Sequence, residues 1–185
     1  MTILFNATDW FSFSSSIVES LRHEISHLSV NDFESDTIES IVERLTTKFT
    51  LTVPEIIAGE IYQSSPEDLP RRGQTKITLH VPFTGNQQYF MICPTRQSTN
   101  PPRGTLNNKQ IGYEMIFTIL PNADVIKSKF EKNLKDINRY LEWLENDFLS
   151  FNKNLKQVIY NHVVQRRQKL DDDNSLAVDL GYPIK

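Results

Sequence analysis

Cysteine is nearly absent from this chain: Cys93 is the single thiol among 185 residues. A disulfide framework within the chain and a Cys-rich zinc site are both excluded on that count. Long apolar runs are missing too. No stretch approaches the ~20 residues that a membrane-crossing helix needs. The opening Met1-Thr2-Ile3-Leu4-Phe5-Asn6 lacks the basic region, apolar stretch and cleavage site of a secretory leader. A cytoplasmic protein with no membrane partner is the expectation. Nor is there an excess of one charge: 20 basic residues against 23 acidic give −3. A dedicated nucleic-acid binder would carry a basic surplus, so nucleic acid is not the expected partner. The six glycines are dispersed, and no Walker A, Gly-x-Gly-x-x-Gly or Gly-x-Ser-x-Gly sequence occurs. A phosphate cradle of the glycine-rich kind and a nucleophile elbow are therefore excluded.

What is present is patterned. Ile17, Val18, Leu21, Ile25 and Leu28 recur at three and four residues, predicting a helix from about Thr8 to Leu28 with one apolar stripe. Thr8 or Asp9 can cap it. Asn31 to Ser35 reads as a connection. Asp36 and Glu39 have capping-box spacing ahead of a second helix through Ile38, Ile41, Val42 and Leu45. Residues 63–74, with Pro66, Pro70 and Gly73, read as a surface loop. Ile77, Leu79 and Val81 then alternate with Lys76, Thr78 and His80, the period of a half-buried strand, which Pro82 ends or places at a sheet edge. Tyr89 to Cys93 is a second expected strand, Pro94 to Lys109 a long loop, and Ile111 to Ile119 a third strand. Strands joined by loops predict an antiparallel sheet or meander.

From Asn122 to Leu180 there is neither proline nor glycine. Phe130, Leu134, Ile137, Leu141, Leu144, Phe148, Phe151, Leu155 and Val158 follow a 4-3-4-3 spacing, the a/d pattern of helices packed along a seam. The flanking positions hold Asn138, Tyr140, Asn152 and Asn154 rather than Glu and Lys, so a free-standing coiled coil is not expected. The seam packs either on the sheet and the first helices or on another chain. The stretch reads as one helix, or as two with a bend near Asn146 and Asn152, with an end at Asp171 to Asn174 followed by an apolar tail. The fold class is therefore α+β. It has two N-terminal helices, a small antiparallel sheet of about three strands, and a long C-terminal helix or helical hairpin. Residues 1–121 form the helix-helix-sheet part and 122–185 the helical segment and tail, as one cooperative domain.

The sharpest chemical motif is His23-Glu24-Ile25-Ser26-His27. Histidines at i and i+4 share a helical face and can hold one Zn²⁺, with the glutamate as base for a metal-bound water. Against this stand Val30 and Phe33, where the extended motif wants glycine and a third histidine. Too few residues precede His23 for the sheet that shapes a zinc-peptidase cleft. Both histidines also project away from the apolar stripe. The expected reading is two surface histidines beside a surface glutamate; the alternative is a zinc-dependent hydrolase. Arg71, Arg72, Arg96 and Arg103 lie on two loops and can form a weak anion-binding rim. His80, His162 and Cys93 carry no partner motif. Tyr89, Phe90, Tyr113 and Phe117 are expected mostly in the core.

Several fragments occur together: Val81-Pro82-Phe83-Thr84-Gly85, Pro94 and Pro101, Phe151-Asn152 with Leu155, Arg166-Arg167 with Leu170, and Leu180-Gly181-Tyr182-Pro183. In combination they resemble an uncharacterised segment that stands ahead of TIR-like effector domains in some bacterial proteins of anti-phage defence type. The resemblance covers residues from about 5 to 185 and carries no catalytic residue over. It implies an adaptor, sensor or assembly module, with the effector domain beyond Lys185. The expected function is thus a non-enzymatic interaction, regulatory or assembly module without cofactor. It would act through the seam from Phe130 to Leu155 on a protein partner or a second copy. The zinc hydrolase, and an RNA- or nucleotide-binding module using the loop arginines, are the alternatives.

Overall fold

The computed structural model describes residues 1–69, 73–107 and 109–181. In chain order the first elements are β1 (Thr2–Ile3), β2 (Thr8–Asp9), α1 (Trp10–Ser26), α2 (Val30–Ser35) and α3 (Ile38–Phe49). The sheet strands follow as β3 (Glu55–Ile56), β4 (Tyr62–Gln63), β5 (Glu67–Leu69) and β6 (Gln74–Thr84). Then come β7 (Ile92–Cys93), β8 (Arg103–Asn107), β9 (Gln110–Phe117) and α4 (Ala123–Leu180). The class is mixed α and β, with an antiparallel sheet and a long C-terminal helix, as the patterning predicts.

Contacts divide the chain into two units. The first comprises Met1–Ser12 and Thr52–Phe148; the second comprises Phe13–Leu51 and the chain from Leu149. The seam of α4 supplies core residues to both units.

In the first unit β6 is the spine of the sheet. On one side it pairs with β9 from Thr75 opposite Phe117 to Pro82 opposite Gln110; β9 continues to β8 and β8 to β1. On the other side β5, β4 and β3 pair with β6 in succession. Every pairing in this seven-stranded sheet of the described residues is antiparallel. That corrects the expectation of about three strands. The missed strands are two to five residues long, too short for a period of two to show, and β8 lies inside the expected Pro94–Lys109 loop. Pro82 neither ends β6 nor marks an edge. Its carbonyl accepts from Ile57 N, so its nitrogen, with no hydrogen to donate, faces the gap between β3 and β4. Tyr89–Cys93 is mostly a 3₁₀ turn (Gln87–Met91), and only Ile92–Cys93 is strand, paired in parallel with β2. Gly104 is required where it stands: a Cβ there would collide with the Ile111 Cγ2 methyl.

The core of this unit gathers Leu4, Phe5, Val81, Phe83, Phe90 and Ile111 against Ile137, Tyr140 and Leu141 of α4. The Tyr140 hydroxyl is not left bare. It takes a hydrogen bond from Ser98 N at 3.0 Å and donates to Ser98 O at 3.1 Å, as a buried phenol requires.

The second unit is helical. Leu21, Ile25, Leu28, Phe33, Ile41, Val42 and Leu45 pack on Leu155, Ile159 and Val163 of α4. Three helices lie between β2 and β3 rather than the two expected. The polar stretch after Ser29 closes into α2 because Asp32 accepts from Ser29 N at 2.8 Å and from its hydroxyl at 2.6 Å. Phe33 then buries beneath it. The cap of α3 is Thr37, accepting from Ser40 N at 3.1 Å, and not Asp36. Helix α4 is continuous through Asn146 and Asn152, with no bend into a hairpin, and it runs past Asp171–Asn174 to Leu180. Gly181 stops it at φ +64, a left-handed terminus that suits glycine. The end of the expected tail, Tyr182 to Lys185, lies outside the described residues.

Candidate functional site

The seam comes first, because it carries the expected interface. Ile137, Leu141, Leu144, Phe148 and Leu155 are buried, while Phe130, Leu134 and Phe151 are partly buried against the two clusters. Trp10 and Tyr89 rings pack on Phe148 at 5.5 and 5.0 Å. Of the two destinations open to the seam, packing within the chain is the one found. The interface residues read from the pattern are thus buried or partly buried within this chain, because the apolar faces of the preceding elements meet the same stripe. What α4 leaves to solvent is another face. Tyr160, Val164 and Val178 are 42%, 36% and 71% exposed.

The His-Glu-x-x-His motif lies at the end of α1, with His27 in the turn just after its last residue. The His23 and His27 rings are 4.3 Å apart, edge to face. His27 Nδ1 is 2.8 Å from the His23 carbonyl oxygen, which can only accept, so Nδ1 is the donor of that bond. Glu24 is engaged by Lys48 Nζ at 2.6 Å. Among the described residues no three His, Cys, Asp or Glu side chains gather as a metal site. The surroundings of the pair, Glu19, Ser20 and Glu24, form an open surface rather than a cleft.

The loop arginines do not act as one group. Arg71 and Arg72 lie outside the described residues. Arg96 sits over the Trp143 ring at 5.3 Å, a cation–π placement. Arg103 starts β8, at a hollow of about 250 Å³ lined by Asn100, Tyr113, Lys129, Lys132, Asn133 and Asp136 among others. Asn133 builds this hollow: its Oδ1 accepts from Arg103 N and its Nδ2 donates to Arg103 O, both at 3.0 Å. That two-way clamp sets one face of α4, carrying Lys129, Lys132 and Asp136, against the start of β8. Asp136 is held by Arg139 at 2.7 Å. Among the described residues Arg103, Lys129 and Lys132 have no carboxylate partner. Sequence reasoning missed both lysines. Their spacing, with Asn133 and Asp136 at three and four residues, was a polar face readable in advance; the strand it faces was not.

Other candidates resolve plainly. Burial, then the nearby Asp9 and Asp147 carboxylates, push the Cys93 thiol up, and Sγ donates to Gln97 Oε1 at 3.2 Å. Such a thiol stays protonated and is a poor nucleophile. His80 stacks on Tyr62 at 4.5 Å, and its Nε2 lies 2.7 Å from the Ser64 hydroxyl. Among the described residues its Nδ1 is buried without a hydrogen-bond partner, so none of them orients the pair as a triad would need. Phe90 is fully buried, as expected, while Tyr89, Tyr113 and Phe117 are half-buried. No described helix is long and apolar enough to cross a membrane. Comparison with protein-family models, curated proteins and solved structures finds no match to the chain.

Proposed function

We propose that this chain is a non-enzymatic assembly module whose C-terminal helix pairs with that of a second copy. One observation carries the reading. Tyr160, Val164, Arg167, Asp171, Asn174 and Val178 are spaced 4-3-4-3-4 and all are exposed. They form a second a/d stripe about 100° around the helix from the buried Leu155, Ile159 and Val163. The stripe is self-complementary. In an antiparallel pair about a two-fold axis beside Lys169, Tyr160 faces Val178, Val164 faces Asn174, and Arg167 faces Asp171. A two-fold interface requires that reciprocity. Within one copy Arg167 reaches Asp171 only at 3.9 Å, and both are exposed; Arg167 also lies 5.8 Å from the Phe33 ring centroid, a contact that pairing with a second copy would have to keep or exchange. The resemblance to a segment preceding TIR-like effector domains agrees with this role, since an assembly module would bring such domains together.

Sedimentation velocity across a concentration series tests it. A concentration-dependent dimer is expected, weakened by about tenfold or more in Tyr160→Asp with Val178→Asp. Both side chains are exposed, so the helical circular dichroism of the variant should match the parent. A monomer at every concentration, or a dimer indifferent to these changes, ends the proposal.

A further inference from the structure

A separate feature is the hollow at the start of β8, where Arg103, Lys129 and Lys132 converge from two elements of one unit. Three cations lining one hollow repel each other unless an anion answers them. The carboxylate among the lining residues, Asp136, is already committed to Arg139 at 2.7 Å. The neutral lining is made of donors as well as acceptors. Asn100 offers an amide and Tyr113 a phenol whose proton is held on by burial, against a smaller opposing pull from Arg103. The walls are fixed rather than adaptable. The Asn133 amide is spent in both directions on the Arg103 backbone, and Pro101 and Pro102 stiffen the approach.

We propose that this hollow binds the phosphoryl group of a small phosphorylated molecule. A guanidinium and the Lys132 ammonium on one lining, with the Lys129 ammonium held 5.4 Å from the Phe117 ring centroid, match a tetrahedral dianion better than a single carboxylate. The volume of about 250 Å³ holds a phosphoryl group and the atoms next to it, and falls below the range of sites that enclose a whole drug-sized ligand. The rest of the ligand would therefore lie in solvent. The helix face that carries Lys129 and Lys132 gives the site its position, so it differs from the loop-arginine rim that the sequence suggests.

Titration calorimetry at low salt with inorganic phosphate and pyrophosphate tests this directly. Pyrophosphate should bind more tightly than phosphate, and Arg103→Gln or Lys132→Gln should each weaken it by about tenfold. The clamp uses the Arg103 backbone, so the glutamine variant keeps the wall in place. Lys135→Gln, on α4 but outside the hollow, should leave binding unchanged. Absence of heat up to about 10 mM pyrophosphate would overturn the site. So would a Lys135→Gln loss equal to that of Lys132→Gln, which would mean diffuse attraction. A single-stranded RNA oligomer binding far more tightly than pyrophosphate, with Lys135 contributing, would replace the small ligand by a polyanion.

Discussion

Helix α4 serves two different cores with one seam. Its first half meets a sheet, and the cluster there is rich in large rings: Phe5, Phe83, Phe90 and Tyr140. Its second half meets other helices, and the buried members of that cluster are aliphatic apart from Phe33, with Phe49 and Phe151 packed at its margin. Yet both halves use the same polar device. Asn133 clamps the backbone of Arg103. Nineteen residues on, by the numbering, Asn152 clamps Leu51 in the same way, donating to its carbonyl at 2.8 Å and accepting from its N–H at 3.0 Å. The lesson is that seam composition does not choose the partner. The seam supplies generic apolar area; the amides at its flank fix which backbone segment is held beside it. The asparagines that argue against a coiled coil are, at 152, part of that registration.

The comparison can be broken at its cores first. Phe83→Ala should cost about 3–5 kcal/mol and Ile159→Ala about 2–5 kcal/mol, by lost transfer energy and residual cavity. Hydrogen exchange should place the loss of protection in β6 and β9 for the first and in α1 and α3 for the second. Equal loss everywhere in both variants would mean that the clusters open together. The clamps give the next effect. Asn152→Ala exposes a part-buried backbone pair to an unsatisfied state and should cost about 1–3 kcal/mol in denaturant unfolding. Asn133→Ala, at an exposed pair that water can serve, should cost less, about 0.5–1.5 kcal/mol. If the order reverses, burial is not what sets the value of the clamp.

Acid should produce the smallest effect, and the same sign in both units. The Ser12 hydroxyl, then its backbone N–H, holds the Asp9 carboxyl below its ordinary value; the Ser29 hydroxyl and N–H do the same for Asp32. A carboxyl depressed in the folded state adds stability above its unfolded value of roughly 4. It loses that stability as pH falls through the folded value. Asp9→Asn and Asp32→Asn should each flatten the decline of the melting temperature below about pH 4. A decline unchanged in both would remove these caps from the account.

Much of this fold is legible from periodicity. The stripes of α1 and α3, the alternation in β6 and β9, and the glycine-free length of α4 each follow from residues near in sequence. The gaps have physical causes. Strands such as β3 and β4 exist because β6 offers them unpaired backbone groups, and two residues carry no period. Helix α2 depends on one aspartate turning back to Ser29. The cationic hollow joins Arg103 to lysines some thirty positions away, through an asparagine whose side chain gives no warning of its choice. The His-Glu-x-x-His spacing, conversely, is fully legible, and its meaning is altered by Lys48, a residue on another helix, which takes Glu24.

The sequence by itself determined where the long helices would lie, which of their faces would be apolar, and that a seam would run along the last third of the chain. Those properties follow from spacing, because helix and strand place side chains by local geometry alone. Only the tertiary structure decided where the seam would be spent, how many strands would join β6, and which cations would share a hollow. These depend on contacts between distant segments, whose partners are selected by fit and by the satisfaction of backbone hydrogen bonds.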